Sequence, residues 1–258
     1  MEKANFSQLL NDAINQPGII SKCYSTFYGY SIGNQLLAYS QCIARDIPIG
    51  PIATFNAWKK LGRSVSKGQK AISLVKPVTI AKKDEAGEKT GDVFQMFTMR
   101  NSWFVLSQTE GEDFVNEVVT PTWDKAKALE TLGIKEEYFS LTNGNVQGYA
   151  QLDTIAINPV AVFPHKTRFH ELAHVVLGHT KEGAMTDSEF TPRDTREVEA
   201  EGVAYILCAL LDLPGLDESR GYLQSWLQGN EVSDKSAQKI FSAANKILEA
   251  GQDEPEKK

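Results

Sequence analysis

The stretch Phe169-His170-Glu171-Leu172-Ala173-His174-Val175-Val176-Leu177-Gly178 decides how the second half of this chain folds. Its apolar residues predict a buried helix, and Gly178 marks its end. On a helix, positions i and i+4 share a face, so His170 and His174 can turn both imidazoles toward one metal ion. Glu171 projects about 100° round from His170, beside the metal rather than on it. From there it can take a proton from water and hand it to a leaving amine. One Zn²⁺ per chain suits that chemistry, because bulk water is too weak an acid to attack an amide at neutral pH, whereas water on zinc has a pKa of about 7. Ala173 is small where bulk would crowd the ion. The chain has four histidines and three fall within Phe169–Thr180, so coincidence explains the pattern poorly.

A third ligand must come from elsewhere. A spacing of six residues after His174 leads to Thr180, and His179 falls one short. His179 is read as capping the helix end, with ligation as its alternative. The next helix carries Glu197, Ala200, Glu201 and Ala204 on one stripe, with two small residues that permit close approach. Two carboxylates there can divide the work, one on the metal and one accepting an N–H from a ligand histidine. Glu197 is the expected ligand and Glu201 the alternative. Glu199, about 200° round from Glu197, is expected to meet solvent.

Outward from this motif, the 258 residues carry 27 Lys+Arg and 33 Asp+Glu, a net charge of −6. A hydrophobic fraction of 41% excludes a mostly disordered chain. No apolar run reaches the roughly 20 residues of a membrane helix, and the polar start predicts no signal peptide. Three widely spaced cysteines without Cys-x-x-Cys argue against disulfides and favour a cytoplasmic setting. Charge divides the chain: residues 1–110 hold 13 basic and 8 acidic side chains, residues 111–258 hold 14 and 25. The predicted organisation is a domain over 1–110, a linker over 111–122, a domain over 123–250 and a disordered tail over 251–258. The class is α+β, with N-terminal helices on a small antiparallel sheet and a mostly helical second domain. Helices are expected over Phe6–Ile14, Ile32–Arg45 and, from a Thr54 cap, through Leu61. Strands are expected over Ala71–Ala81, Val93–Met99, Trp103–Leu106 and Thr154–Ile157, with a solvated loop over Asp84–Asp92.

Between Asp46 and Asp84 lie eight basic residues and no acidic one. They include Lys59, Lys60, Arg63, Lys67 and Lys70, led by Trp58, while Tyr28, Tyr30 and Asn34 lie upstream. Bases of single-stranded DNA stack on such rings while the cations track phosphates. The alternative is that the rings are core and the cations merely solvated; composition does not separate the two.

The C-terminal pattern resembles that of the gluzincin metallopeptidases, in which His-Glu-x-x-His is followed by Glu-x-x-x-Asp/Glu on a second helix. Here those positions are His170, Glu171, His174, Glu197 and Glu201, with Glu where Asp is usual. The resemblance implies that Thr154–Ile157 is an edge strand aligning substrate. The run Tyr28–Leu37, then Trp58, Gly62, Val65 and Gly68, then Ser107-Gln108-Thr109, resembles the N-terminal domain of ArdC-type antirestriction proteins, and the order of motifs agrees from about residue 5 to 212. That resemblance implies a plasmid or phage protein that binds single-stranded DNA with its first domain and protects incoming DNA. Its second domain is implied to be metallopeptidase-like and to bind a divalent metal. One reading is an active zinc metallopeptidase that DNA binding targets to a DNA-associated protein. The other reading is a DNA-binding protective protein whose metal site is structural or inactive.

Overall fold

Four helices begin where a short polar side chain accepts a hydrogen bond from the first turn: Asn5, Thr54, Asp124 and Ser233 each cap the helix that follows. The computed structural model describes residues 4–83, 89–115, 121–141, 145–181, 192–228 and 230–253. It divides into two compact units, one built on Asn34–Glu117 and the other on Asn5–Gly33 with Val118–Lys258. The architecture is α+β.

In the first unit, helix α3 (Ile32–Ala44, from Asn34 onward) accompanies β1 (Ile52–Thr54), α4 (Phe55–Lys60), β2 (Arg63–Val65), β3 (Ile72–Lys83), β4 (Lys89–Val105) and β5 (Thr109–Gly111). The main sheet is antiparallel, in the order β1-β4-β3, with Ile72 opposite Trp103 and Ile52 opposite Val105. Strand β4 runs unbroken through the two shorter segments expected from sequence. The first residues of β3 would be an open edge. Two amides of α3, seven residues apart and hence two turns apart, cover it. Asn34 exchanges two hydrogen bonds with the Val75 backbone, both 2.9 Å. Gln41 does the same with Ser73, at 2.7 and 2.8 Å. Beneath them Ile72, Leu74, Val105 and Trp58 are buried. Gly62 and Gly68 stand at φ +73° and +87°, left-handed turns that explain their places in the motif. Of the expected loop over Asp84–Asp92, residues 84–88 lie outside the described residues, and 89–92 belong to β4 rather than to a loop.

The second unit contains α1 (Phe6–Asn15), α2 (Ile19–Phe27), α5 (Lys125–Leu132), β6 (Lys135–Glu137), β7 (Gly148–Gln151), β8 (Thr154–Ile157), α6 (Pro164–Val176), α7 (Arg193–Leu210), α8 (Leu216–Leu227) and α9 (Asp234–Ala250). Helix α2 was not foreseen. The unit boundary also differs from the sequence reading, because residues 5–33 pack with the C-terminal part; Tyr205 donates to the Ala13 carbonyl at 3.1 Å. Phe114, placed in the expected linker, packs its ring edgewise on Trp58 with centroids 5.4 Å apart. In the expected tail, Gln252 bonds Tyr24 and Asp253 pairs with Lys127, while 254–258 lie outside the described residues.

Helix α7 is the axis of this unit. Every residue from Val198 to Cys208 is buried, as α2, α6, α8 and α9 pack around it. Polar groups on such a helix must find partners inside the protein. The small sheet has the order β6-β8-β7, with β6 parallel and β7 antiparallel to β8. Strand β8 is therefore central, with β6 and β7 at the edges. This corrects the expectation that Thr154–Ile157 forms the edge.

Candidate metal centre

Helix α6 opens with Pro164 in its first turn, where a missing N–H costs nothing. Nearly two and nearly three turns later come His170 and His174. Their Nε2 atoms lie 3.1 Å apart. From α7, Glu197 Oε2 reaches to 3.4 Å from His170 Nε2 and 3.7 Å from His174 Nε2. Tetrahedral ligation at about 2.0–2.1 Å puts donor atoms roughly 3.3–3.4 Å apart. The observed triangle fits such an ion, and the three residues form a set that can hold one. Two imidazoles and a carboxylate suit zinc and other first-row divalent metals.

Glu201 lies one turn beyond Glu197. Its Oε2 is 2.9 Å from His170 Nδ1, and its Oε1 is 2.9 Å from Lys166 Nζ. It therefore contacts the far side of His170, not the triangle. Burial opposes protonation of His170, but hydrogen bonds to Glu197 and Glu201 outweigh it and raise its pKa to about 9. A cation and a proton compete for this position. Glu171 is buried, and burial raises its carboxyl above the usual range despite the neighbouring imidazoles. A carboxyl tuned upward is suited to exchanging protons near neutrality.

His179 and Glu199 depart from the sequence reading. Gly178, at φ +76°, turns the chain back over the end of α6, and the His179 N–H donates to the His174 carbonyl at 2.9 Å. So His179 does cap the helix. Its ring also returns to His174, with the two Nδ1 atoms 3.1 Å apart, and its Nε2 lies 3.0 Å from Glu199 Oε2. Glu199 is fully buried rather than solvated, because α7 has no solvent face at that level. Burial would raise its carboxyl, yet the hydrogen bonds to His179 and Ser236 hold it below the usual range. No periodicity rule distinguishes a buried carboxylate of this kind from an exposed one.

These groups line a cleft of about 620 Å³. Its opposite wall is β7, including Gly148, Tyr149 and Ala150. Gly148 is a site residue that sequence reading missed. A Cβ there would meet Thr167 Cγ2 at 2.7 Å and Glu171 Cγ at 3.1 Å, so only glycine lets the strand lie this close to the helix.

The residues expected to bind DNA separate into groups. Trp58 is 1% exposed and its indole donates to the Phe104 carbonyl at 2.8 Å, so it is core and not a stacking platform. Asn34 is committed to β3, as above. Arg63 donates to Thr109 Oγ1 at 2.8 Å and to the carbonyls of Thr109 and Glu112, which ties β2 to β5. Lys59, Lys60, Lys67 and Lys70 are exposed in the first unit. Tyr28, exposed, and Tyr30, half-buried, belong to the second unit. The exposed ring beside the basic run is Phe55, one turn before Lys59. It lines a cleft of about 800 Å³ with Lys76 and Arg100. Among the described residues, no helix is long and apolar enough to cross a membrane.

Residues 11–109 match the family described as the N-terminal domain of anti-restriction factor ArdC. No curated protein sequence matches the chain. The fold is similar to that of the Mn(II)-bound crystal structure of antirestriction ArdC protein from the R388 plasmid, at 22% identity and a TM-score of 0.51, over 96% of this chain and 96% of that one. The metal-free structure of the same protein aligns at 24% identity and a TM-score of 0.49, over 95% of this chain and 94% of that one. The matched domain includes residues of both compact units. The likeness is therefore to the ArdC N-terminal domain over residues 11–109 and, along the whole chain, to the fold of the Mn(II)-bound R388 protein.

Proposed function

We propose that the chain is an antirestriction protein of the cytoplasm that binds single-stranded DNA through its N-terminal domain and hydrolyses peptide bonds, in a DNA-associated protein, at a zinc-dependent centre in its C-terminal part. The observation that carries the reading is a buried Glu171 beside a converging His170–His174–Glu197 triangle in an open cleft. A site that served structure alone would need no such carboxyl.

A divalent ion bound there supplies positive charge that acidifies water and polarises a carbonyl. His170 and His174 would hold it through Nε2, and Glu197 through a carboxylate oxygen. Glu201 accepts the Nδ1–H of His170, which fixes that ring's tautomer and direction. Glu171 accepts the proton of the attacking water and returns it to the leaving nitrogen. The outer edge of β7 offers main-chain groups to an extended peptide, which would lie antiparallel or parallel to it across the cleft. The Mn(II) in the R388 relative supports a divalent ion here. Three free, buried cysteines suit a reducing compartment.

DNA binding rests on the exposed Lys59, Lys60, Lys67 and Lys70, with Phe55 in place of Trp58 as the ring available for stacking. The enzymatic reading is tested by Glu171→Gln, assayed by mass spectrometry on a mixed peptide library alongside wild type. The expected variant keeps its metal and cleaves about 10²- to 10⁴-fold more slowly. Equal cleavage by both proteins would remove Glu171 from the mechanism, and a metal-loaded wild type that cleaves nothing would favour the structural reading.

A further inference from the structure

We propose that His179 and Glu199 act as a positioning pair behind His174, fixing its imidazole in the tautomer that presents a bare Nε2 to the metal. The inference rests on the assignment of His170, His174 and Glu197 as ligands.

The two ligand histidines are supported differently. His170 meets a carboxylate directly, through Glu201. Among the described residues, His174 meets no carboxylate on its far nitrogen; it meets a third imidazole, which in turn meets Glu199. The proton count along this chain has one solution that leaves His174 able to ligate. A bare Nε2 requires the His174 proton on Nδ1. That N–H donates to His179 Nδ1, which must then be unprotonated. His179 therefore carries its proton on Nε2 and donates it to Glu199 Oε2. Each nitrogen and the carboxylate oxygen is used once, with a neutral His179 and an ionised Glu199. The reverse direction would place the proton on His174 Nε2 and block the metal.

Burial makes the arrangement rigid. The side chains of His179 and Glu199 are 3% and 1% exposed, so neither can exchange its partner for water. His179 is also held through its backbone, its N–H by the His174 carbonyl and its own carbonyl by Arg196 at 3.3 Å. The turn at Gly178 thus returns a side chain to the helix it ends, one turn past the ligand that side chain supports. A terminal cap alone would need only the backbone bond.

The test uses the full chain and Zn²⁺ in competition with a chromophoric chelator. His179→Phe fills the space but removes both nitrogens, and Glu199→Leu removes the acceptor. Each is expected to weaken Zn²⁺ binding about 10- to 100-fold. Glu199→Gln, which retains an amide oxygen for the His179 N–H, should stay within about threefold of wild type. Wild-type affinity in both His179→Phe and Glu199→Leu would overturn the proposal. Long-range ¹H–¹⁵N spectra of the zinc-loaded wild type provide a readout that needs no variant. They should show Nδ1–H on His174 and Nε2–H on His179; an Nδ1–H on His179 would overturn the proposal even if the variants did not fold. Failure of the ligand assignment itself looks different, since His174→Ala would then retain its zinc.

Discussion

At the scale of single residues, Glu171 is the group whose surroundings say most about chemistry. It sits next to a ligand in sequence, is buried, and has its carboxyl raised by that burial. Replacing it with Gln preserves volume and leaves the triangle of ligands untouched. We expect Glu171→Gln to retain a full equivalent of metal while turnover falls about 10²- to 10⁴-fold, the usual worth of a general acid–base. Parallel elemental analysis and steady-state rates check this. The metal motif was legible in sequence because its meaning depends on spacing along one helix. Gly148 was not, since the atoms that forbid it a side chain come from Thr167 and Glu171, elsewhere in the chain. Trp58 failed for a related reason: an aromatic followed by lysines reads the same whether its ring is exposed or packed on Phe114.

At the scale of elements, the long helices and the β3–β4 strands follow from apolar periodicity, and their ends fall close to where the turn residues put them. The short strands β6 and β7 do not. Lys135-Glu136-Glu137 has no strand character of its own and becomes one by pairing with β8. Glu136 earns its place by bonding Arg168 of α6 through both carboxylate oxygens, at 2.9 and 3.0 Å, which fastens the sheet to the helix that carries His170 and His174. The Arg168 hydrogen bonds hold the Glu136 carboxyl below its usual range. A carboxyl lowered by folding adds stability that is present above its unfolded pKa and lost as pH falls through the folded value. Glu136→Gln is therefore expected to cost about 2 kcal/mol at pH 7 and less below pH about 4. Denaturant titrations of variant and wild type at both pH values check it. Helix α7 shows the opposite limit. Its acidic residues look like a solvated face, yet the helix is enclosed, and Glu199 and Glu201 both end on histidines.

At the scale of the whole molecule, the charge division noticed in sequence leads to a prediction about DNA. The basic residues left exposed in the first unit are free to track phosphates. Each of Lys59, Lys60, Lys67 and Lys70 that contacts one should contribute roughly 0.7 to the log–log salt dependence for a single strand. Changing them together to Gln should weaken binding and flatten that slope. Phe55→Ala should weaken binding by about 1–3 kcal/mol with the slope unchanged, if a base stacks there. Fluorescence titration of a labelled oligonucleotide at two salt concentrations distinguishes these effects. Unaltered affinity in the lysine variant would move the interface away from the basic run. Sequence placed the domain boundary by composition, which cannot register that residues 5–33 pack with the C-terminal part; that grouping depends on contacts such as Tyr205 with Ala13 across almost the whole chain length.

The central claim is that His170, His174 and Glu197 together hold one divalent ion. Its most direct test is the metal content of the purified full-length chain, by elemental mass spectrometry after zinc loading and desalting. Wild type should carry about one equivalent, and His174→Ala close to none, because two remaining donors cannot close a tight site. A full equivalent of zinc retained by His174→Ala would contradict the account.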